Sequence, residues 1–247
     1  MAGIFYGIGT GPGDPELMTI KAIRTIRESD VIALPVSDIT KVETPVLYEK
    51  GKWEKDMLQN CMAYQIAVQN VPEINEKAIL LCPMPMCKEK SKLKFLHDSC
   101  AKAVAKLLKK GQKVSYLTLG DPTVYSTYLY LDKRIRAMGY KVTIINGIPS
   151  FCASAARLGI GLVENKESLH IIPSSYGVEE EIQLSGTKVL MKAGKKMAQV
   201  KQNVLQDDQK FYMVENCGMQ TEKIYTNIKD VPEQASYYSL MILKEEK

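Results

Sequence analysis

The chain is expected to fold as two α/β domains, the first on a mostly parallel sheet and the second on a mixed one. Three observations predict this. Short apolar runs alternate with amphipathic helical patterns through the first two thirds of the sequence. Three of those runs end in a glycine-bearing turn that feeds a helical pattern. Beyond Gly159 the apolar runs follow one another with fewer and shorter helices between them, the mark of a sheet with antiparallel neighbours.

Gly3 to Ile8 (GIFYGI) reads as a buried strand, and Leu17, Ile20, Ile23 and Ile26 recur at helical spacing over a helix from Pro15 to Ser29. Val31 to Leu34 (VIAL) is a second strand, so strand, helix and strand form a βαβ unit. Pro35 to Cys87 contains the single Trp53 and several prolines, and no elements are assigned to it. Ser91 to Lys110 places Leu93, Leu96, Cys100, Val104 and Leu107 on one helix face, with Gly111 at the position that ends it. Val114 to Leu119 is a strand. A helix marked by Val124, Tyr128, Leu131, Ile135 and Met138 follows it, stopped by Gly139. Tyr140 to Ile145 is the next strand, and Asn146 to Ser150 opens a small-residue helix. Further strands are expected at Leu169 to Ile172, Thr187 to Met191, Phe211 to Glu215 and Tyr237 to Leu243, with a helix at Lys196 to Leu205. The domain boundary falls near residues 118 to 126, giving domains 1–120 and 121–247.

Composition narrows the class. The 247 residues carry 33 Lys plus Arg against 28 Asp plus Glu, a net charge of +5 with 45% hydrophobic residues, as in an ordinary globular protein. The charge suits an anionic small molecule at least as well as nucleic acid, and neither nucleic acid nor membrane is expected as a partner. The longest apolar stretch, Ala78 to Cys87, is interrupted by Pro83 and Pro85. The opening MAGIFYGIGTG lacks the basic start of a signal peptide. A cytoplasmic protein is therefore expected, its cysteines at 61, 82, 87, 100, 152 and 217 being free thiols that fill the core. With no C-x-x-C and only His97 and His170, no metal site is expected. The 12 methionines read as core filling.

The first motif, Gly7-Ile8-Gly9-Thr10-Gly11-Pro12-Gly13-Asp14-Pro15, stands where ligands bind in open α/β sheets. Asp14 is either a helix cap, with Pro15 at the first helical position, or a ligand group. Pro12 and Asp14 break the G-x-G-x-x-G dinucleotide fingerprint, and Pro35 stands where an acidic ribose partner would close the second strand. No P-loop motif occurs. The second motif is Leu119-Gly120-Asp121-Pro122-Thr123-Val124-Tyr125, and the third is Gly147-Ile148-Pro149-Ser150-Phe151. Three tight turns at carboxyl ends of strands point to one shared crevice.

At these residues, together with Leu17 to Ala22, Glu215-Asn216 and Tyr238 to Ile242, the chain resembles the tetrapyrrole (corrin and porphyrin) methylases that use S-adenosylmethionine. GDPTVYSTYLYL and GIPSFCASAARLG within it are most similar to the precorrin-2 C20-methyltransferases of cobalamin biosynthesis. The resemblance implies the class III methyltransferase fold, two α/β domains enclosing a cleft for the cofactor, and a homodimer. On matching positions it implies that Pro12, Leu119, Gly120, Asp121, Val124, Pro149 and Ser150 line the cofactor pocket. Met191, the neighbourhood of Cys217, and Ser239 near the adenine match later contacts. Two departures stand out. Related methylases often carry glycine after Glu-Asn where this chain has Cys217 and then Gly218. The proton-accepting aspartate of the uroporphyrinogen methylases aligns with Pro35, so that role is not transferred and no catalytic residue is assigned.

Methyl transfer from a sulfonium to an electron-rich meso carbon needs orientation rather than a protein nucleophile, so the absence of a Ser-His-Asp or Cys-His set is expected. Tyr125, Tyr128 or water could accept the meso proton. Lys88, Lys90, Lys92 and Lys94 are either a solvated helix face or a clamp for substrate carboxylates. The substrate is expected to be precorrin-2 or its cobalt complex, with a Lys- and Met-rich chain of six thiols favouring the cobalt form. A methylase for another corrin position or for a diphthamide precursor, and a nucleotide-binding regulatory module, are the alternatives.

Overall fold

The computed structural model describes residues 2–38, 40, 42–174, 178–192, 197–205 and 209–245, and the chain divides into two compact units, Met1–Pro149 and Ser150–Lys247. The first unit is a six-stranded sheet of β1 (Ile4–Gly9), β2 (Val31–Val36), β3 (Val46–Tyr48), β4 (Ala78–Pro83), β5 (Val114–Thr118) and β6 (Lys141–Ile145). Its spatial order is β3-β4-β2-β5-β1-β6, parallel throughout except for β3.

Successive strand residues point to opposite faces, and both faces are apolar. Ile8, Ile32, Leu34, Ile79, Leu81 and Leu117 pack with Ile26 of α1 (Ile20–Arg27) and Ile66 of α2 (Met62–Asn70). Their strand neighbours Phe5, Val31, Ala33, Leu80, Cys82 and Tyr116 face the other way. They meet Cys100, Val104 and Leu107 of α3 (Lys90–Lys109), and Leu131 and Ile135 of α4 (Tyr128–Ala137). Each such aliphatic side chain contributes about 1.5–3 kcal/mol of burial, which fixes the register of the strands.

Three local expectations change. The helix expected from Pro15 breaks at Thr19: Pro15–Leu17 is a short 3-10 turn, and the Thr19 hydroxyl accepts the Ala22 N–H at 3.1 Å to cap a new helix. α4 starts at Tyr128 rather than near Val124, because side-chain hydrogen bonds hold residues 121–127 in an irregular turn. The break between the units falls at Pro149/Ser150, later than 120/121, because β6 pairs in parallel with β1 and so belongs to the first sheet.

The second unit opens with α5 (Ser150–Leu158) and contains β7 (Leu169–Pro173), β8 (Thr187–Met191), α6 (Met197–Leu205), β9 (Gln209–Glu215), β10 (Lys223–Tyr225) and β11 (Ser239–Glu245). Lys196, expected to open α6, lies outside the described residues. The sheet order is β10-β9-β11-β8-β7, with β7 parallel to β8 and the other pairs antiparallel, so it is mixed as expected. Leu190, Met213, Met241 and Leu243 bury against Met197, Val200 and Val204 of α6. The core-filling expectation holds for Cys82, Cys100 and Cys217. Cys61 and Cys87 are only partly buried and Cys152 is exposed on α5, so these three are not core residues.

Candidate functional site

Because β5, β1 and β6 are neighbouring parallel strands, their carboxyl ends lie side by side, with Gly9 level with Thr118 and Ile8 level with Ile145. The three sequence motifs continue from these ends. They do more than approach one another. Gly11 and Gly120 exchange two backbone hydrogen bonds, Gly120 N–H to Gly11 O at 2.7 Å and Gly11 N–H to Gly120 O at 3.3 Å. A Cβ on Gly9 would lie 2.5 Å from Gly120 O and 2.6 Å from Gly147 N, and one on Gly147 would strike Gly120 O and the Gly9 backbone. The close approach of three backbones is what these glycines provide.

Asp121 ties the second turn to the third. One carboxylate oxygen accepts the Thr123 N–H at 2.8 Å and the Thr123 hydroxyl at 2.5 Å, and the other accepts Asn146 Nδ2 at 3.1 Å and Gly147 N–H at 3.0 Å. Burial pushes its pKa up, but the bonds from Thr123, Asn146 and Gly147 outweigh burial and hold it below the usual carboxylate value. The Thr10 hydroxyl donates to Thr118 O at 3.1 Å, joining the first turn to β5. Asp14 takes the capping option, accepting the Glu16 N–H at 2.8 Å.

The fold thus gathers Pro12, Leu119, Gly120, Asp121, Val124 and Pro149 at one end of the first sheet. Pro12, Gly120 and Asp121 are buried there, and Leu119, Val124 and Pro149 are half-buried. Gly9, Thr10 and Asn146 stand in the motif segments but not among the candidate site residues, and the structure makes them parts of this junction. Gly9 carried the only available signal, a glycine at a strand end, whereas Thr10 and Asn146 carry none without their partners.

Ser150 is the first residue of α5. Met191 ends β8 opposite Leu240, Ser239 opens β11 opposite Glu215, and Cys217 follows two residues beyond β9. Antiparallel pairing therefore brings Met191, Cys217 and Ser239 to one end of the second sheet. The buried Glu215 carboxylate accepts the Ser236 N–H at 2.6 Å and the Tyr225 hydroxyl at 3.3 Å, which fixes the approach to β11. Asn216 and Gly218, on either side of Cys217, have positive φ of 54° and 74°.

The proton-acceptor candidates separate. Tyr128 is fully buried in the core of the first unit, where its ring fills the space left by Gly7 and its hydroxyl donates to Asp132 at 2.8 Å. Burial, followed by the Asp132 hydrogen bond and charge, raises its pKa far above the ordinary tyrosine value. Tyr125 is 42% exposed. Pro35 lies inside β2 beside Cys82, beyond the last residue of β2 that pairs with β5. Lys88, Lys90, Lys92 and Lys94 are all exposed, the last three within the first two turns of α3. No helix among the described residues is long and apolar enough to cross a membrane.

Comparison with known proteins identifies the family. The family model of the tetrapyrrole (corrin/porphyrin) methylases matches residues 5–232. A Methanocaldococcus jannaschii protein named probable cobalt-precorrin-2 C(20)-methyltransferase is 34% identical over 97% of this chain and 95% of its own. A precorrin-2 C(20)-methyltransferase of a Sinorhizobium species is 27% identical over 98% and 95%. Among solved structures, the uroporphyrin-III C-methyltransferase of Thermus thermophilus complexed with S-adenosylhomocysteine superposes with a TM-score of 0.64 at 19% identity, covering 98% of each chain.

Proposed function

The chain belongs to the tetrapyrrole (corrin/porphyrin) methylases, and from that premise we propose that it transfers a methyl group from S-adenosylmethionine to C20 of cobalt-precorrin-2 or precorrin-2 in cobalamin biosynthesis. The 34% identical relative that spans nearly the whole chain carries the C20 assignment and favours the cobalt complex. The joined turns at Gly9, Gly120 and Gly147 support the cofactor contacts proposed in the first unit, because they bring Pro12, Asp121 and Pro149 together at the carboxyl ends of neighbouring parallel strands, where open α/β sheets bind ligands.

When bound, S-adenosylmethionine supplies an electrophilic methyl group on a sulfonium. The chain's part is to orient and to hold still. Pro12, Leu119, Gly120, Asp121, Val124 and Pro149 would hold the cofactor in the first unit, and Ser150, Met191, Cys217 and Ser239 are the contact residues proposed in the second. Asp121 acts through geometry: its carboxylate is already engaged by Thr123, Asn146 and Gly147, so its side chain sets the spacing of two turns before any ligand arrives. Orientation of this kind lowers a displacement barrier without a nucleophile. The same reading carries a cytoplasmic homodimer, which light scattering after size exclusion tests.

The deciding experiment incubates the protein with methyl-labelled S-adenosylmethionine and either tetrapyrrole, then locates the label by NMR. Label at C20 supports the reading, and label at another corrin position rejects it. Failure to bind S-adenosylmethionine or S-adenosylhomocysteine in calorimetry rejects methyl transfer altogether.

A further inference from the structure

The turn between β5 and α4 holds a tyrosine in a strained backbone conformation. Among the described residues, four that are not glycine have positive φ: Tyr125, Asn165, Lys192 and Asn216. Asparagine visits this region readily, but a tyrosine at φ +46° is strained and persists only where its surroundings impose the conformation. They do so on both flanks. Upstream, Asp121 accepts from both polar groups of Thr123, and the Val124 N–H donates to Asp121 O at 3.2 Å. Downstream, the Ser126 hydroxyl pairs with Thr118 Oγ1 at 2.9 Å and accepts the Tyr128 N–H at 3.1 Å, while Thr127 Oγ1 pairs with the buried Tyr116 hydroxyl at 2.9 Å.

The strain does not serve to bury the ring. Tyr116 and Tyr128 are fully buried, whereas Tyr125 remains 42% exposed. Its position is at the carboxyl end of β5, between β2 and β1, the edge of a parallel sheet at which ligands are bound. We propose that Tyr125 is a substrate-contact residue, its ring held at this edge as a flat platform for the conjugated tetrapyrrole. This rests on the methylase reading. The conjugated part of such a macrocycle offers a π-surface, and an aromatic ring on a turn whose backbone is already fixed meets it at a lower ordering cost.

The test compares wild type, Tyr125→Gly and Tyr125→Phe. Glycine adopts positive φ freely, so the backbone of the turn is expected to persist in Tyr125→Gly and S-adenosylhomocysteine affinity to stay unchanged. The KM for cobalt-precorrin-2 should rise about tenfold, the loss of one aromatic contact. Tyr125→Phe, which keeps the ring, should restore it. An unchanged KM in Tyr125→Gly overturns the platform, as does a parallel loss of S-adenosylhomocysteine affinity, which would place the residue in cofactor binding. A Tyr125→Phe variant as impaired as Tyr125→Gly overturns it in favour of the hydroxyl. A wild-type protein that methylates neither tetrapyrrole overturns both this inference and the function on which it rests. A methylating wild type with an unaltered KM in Tyr125→Gly overturns the platform alone.

Discussion

Removing the carboxylate of Asp121 should loosen the junction of the second and third turns. In Asp121→Ala the Gly147 N–H loses its acceptor in a buried place, which costs about 1–3 kcal/mol. The Thr123 and Asn146 donors regain water in part, so the whole change should come to about 3–4 kcal/mol. For a unit of this size that is a fall in melting temperature of roughly 6–15 °C. Asp121→Asn retains the shape but turns an NH2 toward two of the four donors, so about half of that loss is expected. The pH dependence carries its own sign. A carboxyl held below its ordinary value stabilises the fold in full above about pH 4, and that stability is lost as pH falls through the folded pKa. Asp121→Asn should abolish this acid-dependent part. Thermal melts from pH 7 to pH 3 and S-adenosylhomocysteine titrations on the three proteins check it, with cofactor affinity expected to fall about tenfold in Asp121→Ala as preorganisation is lost. An Asp121→Asn protein that melts like wild type across the whole pH range would refute the idea that this carboxylate clasps the turns.

Other outcomes follow from the same geometry. Tyr128→Phe should lose about 1 kcal/mol from its broken bond to Asp132 while kcat stays unchanged, and a drop in kcat would return Tyr128 to the proton-transfer candidates. His97 is buried and stacked on Tyr130 at 4.4 Å, and burial, then the charge of Arg134, lowers its pKa. Its stabilisation should be present in full above about pH 6.5 and lost as pH falls through the lowered value, so His97→Phe should flatten the melting curve in that window if this histidine sets it. Lys90 and Lys92 lie at the positive end of α3 with no acidic residue in its first turn. Replacing both by glutamate should stabilise the helix by about 0.3–1 kcal/mol each and leave the tetrapyrrole KM unchanged, whereas a raised KM would favour the carboxylate clamp.

Local chemistry explains what could be read from the chain. The turns after β1, β5 and β6 were visible because glycine, aspartate and proline mark backbone reversals wherever they stand. The alternation of Ile32 and Leu34 with Val31 and Ala33 looked only like a uniform apolar run, which is why the strand was legible and its two faces were not. The break at Thr19 and the late start of α4 depend on side-chain bonds that compete with an otherwise good helical pattern. The unit boundary was misplaced because nothing in Tyr140 to Ile145 says that its partner is β1. Likewise the clasp that Asp121 makes between two turns could not be read, since two of its donors, Gly147 and Asn146, stand far along the chain. Met191, Cys217 and Ser239 were named one by one from family resemblance, and only the antiparallel register gives a reason for their proximity.

The placement of β1 between β5 and β6 also has a kinetic meaning. Thr10 waits for Thr118, 108 positions later, and Gly9 waits for Gly147 later still. Pairings of such long range form slowly, and during synthesis the glycine loop must leave the ribosome well before either neighbour exists. The first unit's share of the proposed site should then form in one late step, when β6 docks, and a nascent chain arrested before β6 should hold a glycine loop with nothing to close against.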